Sequence, residues 1–383
     1  MKNVNDKSEK KCVGCGACMQ SCPKKCITMI ENTRGVLPPK VDEEECIQCG
    51  LCLKKCPIEV DIQLNKPEKG YAAISNDEKA IKQSTSGGVF YVLAKYILKN
   101  EGSVYGAVWS EDGLVQHIKA NEIDDLDKMR QSKYIQSNIN NTYQEAKDDL
   151  KDGKIVLFSG TACQIAGLRV FLGKEYENLY TVEIACHGVP SQGLYKKYRL
   201  WLENNKGKKI KQFSFRNKEK HKTGEHYMFS VLWEDNVKEF FFSNEDPYYD
   251  SFLNEKILRK TCYECKFKNK DRISDITLAD FWGIERKYKN FPAQNGVSAV
   301  LINSSKGMKI FSEIGKELSI QEVEIEDIYI GNKSLIKSAK ISNMMDYSIT
   351  DIEMDDIKPK FSIKKKIKNI VPNKMKYYLK RLK

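Results

Sequence analysis

The pattern Cys12, Cys15, Cys18 and Cys22-Pro23 recurs as Cys46, Cys49, Cys52 and Cys56-Pro57, with identical internal spacing at an offset of 34 residues. Eight thiols packed this densely must either pair as disulfides or bind metal. Of the chain's 13 cysteines, nine fall in the first 56 residues, and an odd total argues against a closed disulfide framework. The opening Met-Lys-Asn-Val-Asn-Asp-Lys has no apolar core of a secretory signal, so the expectation is a cytoplasmic protein with reduced thiols. No apolar run approaches the roughly 18 residues of a spanning helix. Zinc held by four thiolates is usually built from two separated Cys-x-x-Cys pairs. Three cysteines at two-residue gaps and a fourth in Cys-Pro suit a [4Fe–4S] cubane instead, whose four iron corners each take one thiolate.

The spacing is that of bacterial ferredoxins, in which the fourth cysteine of each run reaches the other cluster. One cluster is therefore expected on Cys12, Cys15, Cys18 and Cys56, and a second on Cys46, Cys49, Cys52 and Cys22. Gly14, Gly16 and Gly50 let the backbone come close to the inorganic core, and Pro23 and Pro57 fix the chain as it leaves. Cys26 is supernumerary and reads as a buried free thiol, against a role in modulating the potential of a cluster.

Downstream the pattern changes. Residues 65–80 read as a polar linker, and a helix is expected over about 87–100, followed by a strand at Ser103–Trp109. Strand-to-helix units follow at Lys154–Phe158 into Thr161–Leu168 and at Thr181–Ala185 into Ser191–Asn204. Tyr227–Trp233 and Val237–Phe242 read as a hairpin, and Asp275–Phe281 and Val297–Asn303 as further strands. The fold class is α+β: a two-cluster ferredoxin-like domain (1–64), then a larger mixed α/β domain (81–335) and an extension (336–383).

Four cysteines remain, as many as one more cubane requires: Cys163, Cys186, Cys262 and Cys265. Spacing alone leaves alternatives open. Cys163 could be a nucleophile at a helix N-terminus, and Cys262-x-x-Cys265 could bind zinc with His187.

A series of strings resembles the beta subunits of coenzyme F420-reducing hydrogenase and F420H2 dehydrogenase. They are Ser84-Thr85-Ser86-Gly87-Gly88, Ser132-Lys133-Tyr134-Ile135-Gln136-Ser137, Gly160-Thr161-Ala162-Cys163-Gln164 and Cys186-His187-Gly188-Val189-Pro190-Ser191. Phe215-Arg216-Asn217-Lys218, Arg259-Lys260-Thr261-Cys262-Tyr263-Glu264-Cys265, Arg272–Thr277 and Asp280-Phe281-Trp282-Gly283 continue the series in order. Ala162 stands where the family commonly has proline, and Gly224-Glu225 where it commonly has Gly-Trp.

The resemblance implies FAD and a third [4Fe–4S] cluster, with Cys163, Cys186, Cys262 and Cys265 as its ligands. On its own residues, Ser84–Gly88 reads as a helix cap with a flexible turn; the resemblance makes it the site of the FAD pyrophosphate. Lys133, Tyr134 and Gln136 are then flavin-binding candidates, with Tyr134 stacking, and Thr161 and Gln164 face the flavin. His187 is the candidate proton donor or cluster-tuning residue, against a purely structural role. Arg216 and Lys218 would attract the acidic tail of F420, against a solvated strand end. Asp280–Gly283 reads as core packing with a turn.

The implied function is an oxidoreductase that passes electrons between F420H2 or a similar hydride donor, FAD and the clusters or ferredoxin. The alternatives are a non-catalytic electron-transfer subunit and a ferredoxin-dependent reductase of a metabolite, polysaccharide biosynthesis being one setting. Ferredoxin or another redox protein is the expected partner. The formal charge of +12 points to nucleic acid only until it is divided. Of 64 Lys and Arg residues, eleven lie in 358–383, which holds no Asp or Glu; elsewhere 53 basic side chains face 52 acidic ones. A neutral body excludes a nucleic-acid footprint. The basic, amphipathic tail suits an anionic membrane surface, placing the protein peripherally at the inner face of the cell membrane.

Overall fold

A computed structural model describes residues 3–6, 11–219 and 228–357. The N-terminal domain is small: α1 (Ala17–Ser21), β1 (Ile27–Met29), β2 (Pro39–Val41) and α2 (Leu51–Lys54), with β1 and β2 paired antiparallel. Gly16 and Gly50 cap the two helices at φ of 71° and 67°. That left-handed conformation is open to glycine and opposed by a side chain. Each cysteine run therefore turns sharply between its second and third thiol.

The larger domain is built on a sheet of eight strands. Its chain order is β3 (Lys69–Ser75), α3 (Glu78–Gln83), α4 (Val89–Lys99), β4 (Ser103–Trp109), β5 (Val115–Ala120), α5 (Ile123–Met129), α6 (Thr142–Lys151), β6 (Val156–Thr161), α7 (Ala162–Leu172), β7 (Leu179–Ile184) and α8 (Gln192–Lys206). Then come β8 (Ile210–Ser214), β9 (Met228–Trp233), β10 (Lys238–Phe242), α9 (Pro247–Leu253), β11 (Ile276–Asp280), β12 (Ser298–Ile302), α10 (Ser305–Glu313), β13 (Leu318–Val323) and α11 (Ile325–Gly331). The sheet runs β13-β3-β12-β11-β7-β6-β4-β5, parallel from β11 to β4 and antiparallel at both flanks.

Alternation along the strands assigns the two faces. In β6, Leu157 packs with Val92, Leu93 and Ile97 of α4 and Phe311 of α10. Its neighbours Val156 and Phe158 turn the other way, to Tyr143 of α6 and Ile165 of α7. That second layer also takes in Val13, Cys15 and Ala17, so α7 is packed between the sheet and the N-terminal domain. Being covered on both sides, it is apolar nearly all round.

The hairpin strands β9 and β10 pair with β8 in a second, three-stranded sheet. Trp233, Phe215, Tyr195 and Tyr248 fill its core.

Three expectations need correction. Residues 65–80 are not a linker: Asn65 pairs with Arg272 through both backbone bonds, and β3 lies inside the sheet between β13 and β12. Ala72 and Ala73 at its buried centre are small residues that carry little hydrophobic pattern, with Ile74 the one large apolar side chain buried beside them. The stretch 336–357 is no loose extension, since Ala339, Ile352, Met354 and Ile357 are buried against the small sheet. Cys26 is half-buried rather than buried, at the turn into β1, with its sulfur 3.5 Å from that of Cys22. The basic tail, 358–383, and Gly224-Glu225 lie outside the described residues. No helix among the described residues is long and apolar enough to cross a membrane.

Candidate functional site

Two hollows in the N-terminal domain sort its cysteines across the repeat. Cys12, Cys15 and Cys18 line one together with Cys56. Cys46, Cys49 and Cys52 line the other with Cys22, and Cys26 joins them. Among the described residues, no three His, Cys, Asp or Glu side chains are placed to hold a single metal ion. Burial, then the neighbouring thiols, push the Cys15 thiol well up and that of Cys18 to about 12. Packing several acidic thiols in an apolar hollow is unfavourable for the charged forms, and metal that replaces their protons offsets that cost.

The other four cysteines come from three places. β6 and β7 are parallel neighbours with Thr161 opposite Ile184, so Cys163 and Cys186, each two residues on, leave the same edge of the sheet. Cys262 and Cys265 lie on a turn of 3-10 helix at Lys260–Glu264 and at its end. The four thiols act on one another: burial pushes Cys163 up, and Cys265, Cys186 and Cys262 add to the shift. Burial likewise pushes Cys262 up to about 12, with Cys186 adding and the Arg259 charge opposing. The backbone N–H of Gly14 points at the Cys12 sulfur and that of Gly188 at Cys186, both at 3.4 Å.

This third group lies beside the first. One turn beyond Cys163, Gly167 approaches Cys15 so closely that a Cβ there would stand 2.8 Å from that of Cys15. Tyr143 packs in the same apolar cluster as Cys15 and Cys163, its hydroxyl donating to the Gln164 carbonyl at 2.7 Å. Arg259, fully buried, donates to the carbonyls of Cys12 and Val13 at 2.8 Å each. Lys268 reaches the carbonyl of Cys186, and Lys266 holds the carbonyl of Val60 at 2.7 Å.

The residues expected to meet a flavin divide into two sets. The first gathers at the carboxyl ends of the parallel strands, where crevices form in open α/β sheets. Gly87 packs so tightly that a Cβ would meet the Ala73 carbonyl at 2.3 Å, and Ser86 donates to the Val297 carbonyl at 2.7 Å. Thr85 accepts from the Ser132 N–H at 2.9 Å. Ser84 closes α3, and Gly88, at φ 86°, opens α4 with no side-chain cap. Lys218 braces this loop, its ammonium on the carbonyls of Ser86 and Asn295 at 2.7 Å each and Ile81 at 3.1 Å; burial lowers its pKa to about 8. Arg216 pairs with Asp280 at 2.9 Å, reaches the Tyr134 hydroxyl at 3.3 Å and lies under the exposed ring of Trp282.

The second set is committed to the scaffold. Thr161 and Gln164 form the capping box of α7, with Gln164 also donating to the Ser137 carbonyl. The Lys133 ammonium closes α5 on the carbonyls of Met129, Arg130 and Gln131. Gln136 donates to the Gly14 carbonyl at 3.2 Å, joining the domains. Tyr134 does stack, but on Phe252, with ring centres 4.4 Å apart. His187 rests edge-on against Phe252, its Nε2 3.9 Å from Glu255. Burial lowers its pKa against the pull of Glu255. Of Asp280–Gly283, Phe281 is core and Gly283 the turn, while Trp282 faces out. Sequence reading gave no role to Arg259, which stands three residues before Cys262. The signal within reach was that position beside a chelating pair.

Residues 153–328 match the family model for the C-terminal region of the coenzyme F420 hydrogenase/dehydrogenase beta subunit, and residues 6–64 match a 4Fe-4S dicluster domain. A chain in the F420-reducing [NiFe] hydrogenase complex from Methanosarcina barkeri shares 18% identity, covering 72% of this chain and 91% of that one, with a TM-score of 0.47. No curated protein matches. Residues 153–328 thus resemble the C-terminal region of coenzyme F420 hydrogenase/dehydrogenase beta subunits and residues 6–64 a 4Fe-4S dicluster domain, the pattern of an iron–sulfur electron-transfer protein related to those beta subunits.

Proposed function

We propose that the protein is an oxidoreductase in which an organic hydride donor, F420H2 or a similar molecule, is linked through FAD to three [4Fe–4S] clusters and onward to ferredoxin or another redox protein. The observation that carries this reading is the row of three four-cysteine groups, the inner two in contact through Gly167 and Cys15. Bound FAD would supply the conversion between a two-electron hydride and the single electrons that iron–sulfur clusters carry. The fit for that cofactor rests on the uncapped N-terminus of α4, a site suited to phosphate, backed by the buried charge of Lys218. The exposed ring of Trp282, over the Arg216–Asp280 pair, adds an aromatic surface beside it.

In this reading Cys163, Cys186, Cys262 and Cys265 hold the inner cluster, and the capping box of Thr161 and Gln164 fixes the loop that carries Cys163. His187 follows Cys186 in the chain and bears on the same group without coordinating it. Cys49 and Ile47 are exposed at the far end of the row, the side from which a redox partner would approach. Attachment of the basic tail to an anionic membrane surface belongs to the same proposal.

A second reading has one observation in its favour: Lys133, Gln136, Thr161 and Gln164 are all taken up by the scaffold. A relay protein without flavin would need them only there. Anaerobic purification separates the two, because the first reading expects about twelve irons per chain and one FAD. Iron without flavin would favour the relay. Adding F420H2, NADH, NADPH and reduced ferredoxin in turn, while following the flavin band, identifies the donor.

A further inference from the structure

Arg259 is among the largest fully buried side chains, yet its hydrogen bonds go to two backbone carbonyls and to no carboxylate among the described residues. Its Nε is buried without a partner. An isolated cation in a protein interior is unfavourable unless negative charge lies close by. Two sources of such charge flank it. On one side are the carbonyls of Cys12 and Val13, in the first cysteine run. On the other is Cys262, on the 3-10 turn that Arg259 opens, whose thiol lies within reach of the Arg259 charge. The approach is tight enough that a Cβ on Gly14 would stand 2.6 Å from Nη1. A cubane held by four thiolates is anionic whether oxidised or reduced, and more so when reduced.

We infer that Arg259 is the shared counter-cation of the cluster at Cys12, Cys15, Cys18 and Cys56 and the cluster at Cys163, Cys186, Cys262 and Cys265, and that it raises the reduction potential of both relative to the outer cluster at Cys22, Cys46, Cys49 and Cys52. This rests on the third cluster of the proposed function. Electrons would then collect on the two inner clusters, next to the large domain, and pass to the outer one only when a partner draws them off. Arg259 acts through the clusters and is a positioning residue, not a catalytic one.

The test is an EPR-monitored redox titration of the anaerobic holoprotein with Arg259→Gln and Arg259→Lys. In the Gln variant both inner potentials should fall, with the reduction equilibrium roughly tenfold poorer (about 59 mV for one electron), while the outer potential stays in place. The Lys variant keeps the charge and loses the fork, so its inner potentials should stay near wild type. Unmoved potentials in an iron-replete Gln protein, or an equal fall in all three clusters, would overturn the inference. So would a Lys variant whose inner potentials fall despite its charge, and this comparison holds even if the Gln protein cannot be loaded. An iron count near eight in the wild type would instead remove the third cluster, and with it the reading beneath.

Discussion

The chain gathers four cysteines in two different ways. In the N-terminal domain three of each four are neighbours in sequence, and one more is borrowed from the other copy of the run. In the large domain the four come from two strand ends and a short 3-10 turn, with Cys163 and Cys265 about a hundred residues apart. The first arrangement needs little beyond two glycine-capped turns. The second exists only if β6 and β7 are in register and residues 259–265 are docked against them. Local spacing can define a ligand group before the chain folds; a group assembled from distant segments inherits its precision from the fold.

Serine substitutions should break this comparison most visibly. Cys186→Ser is expected to lower the iron content by about four per chain while the spectra of the two N-terminal clusters persist. Cys56→Ser should abolish the cluster on Cys12, Cys15 and Cys18 and spare that on its own run. Iron quantitation with EPR of the reduced proteins reads both. Loss of iron from the Cys46–Cys52 cluster in Cys56→Ser would show that the runs are not crossed.

The crevice at the strand ends gives the next largest effect. Lys218→Met removes the ammonium that braces Ser86 and Asn295. Hydrogen bonds to a charged group are worth about 1.5–3 kcal/mol, so flavin affinity should fall roughly tenfold or more, with iron unchanged. A Lys218→Met protein that keeps its flavin would move the cofactor away from the Ser84–Gly88 loop.

How far the site could be read in advance follows the same division. The grouping of the N-terminal thiols was legible, because three of each four are spaced over a few residues and the repeat supplies the fourth. So were β4, α4, β6 and the β9–β10 hairpin, whose periodicity is strong, and α7, read from its place directly after a strand. β3 was not, since Ala72 and Ala73 look the same in a loop as in a buried strand. Nor was the fate of Thr161 and Gln164. Their spacing fits a capping box as well as a ligand contact, and only the position of α7 against the sheet decides. Arg259 was out of reach for another reason: its partners, Cys12 and Val13, lie about 250 residues away and present only backbone.

Acid should separate the two arrangements. His117 is buried between Ser137 and Ser159, its ring nitrogens 2.7 Å from the Ser137 hydroxyl and 2.9 Å from the Ser159 carbonyl, just before Thr161 and Cys163. Burial lowers its pKa from 6.5 to about 4. Between those values the unfolded chain holds a proton that the folded chain does not. The His117 contribution is therefore complete above pH 6.5 and is lost as pH falls toward 4. By pH 5 the loss is on the order of 2 kcal/mol. Buried Asp246, raised to about 7, works in the opposite sense, so the comparison must be between wild type and His117→Gln. Denaturant titrations from pH 7 to 5 should show a steeper loss of large-domain stability in the wild type. Parallel slopes would mean that His117 is protonated in the folded protein.

The smallest effect expected, at Gly167→Ala, is also the most discriminating. Within α7, alanine for glycine favours the helix by about 1 kcal/mol. Against that, the new methyl would stand 2.8 Å from both the Cys15 Cβ and the Tyr143 hydroxyl, a clash of the kind that costs about 1–3 kcal/mol. The terms act on different parts of the molecule: the helix gain and the clash with Tyr143 both fall within the large domain and offset each other, while the clash with Cys15 falls on the contact with the N-terminal domain. Urea unfolding followed through the clusters and through the fluorescence of the four tryptophans, all in the large domain, should therefore diverge, the N-terminal domain being released at lower urea while the large domain holds its midpoint. If instead both probes moved together, the two domains would unfold as one cooperative unit, and the N-terminal thiol groups would depend on the sheet as much as the third group does.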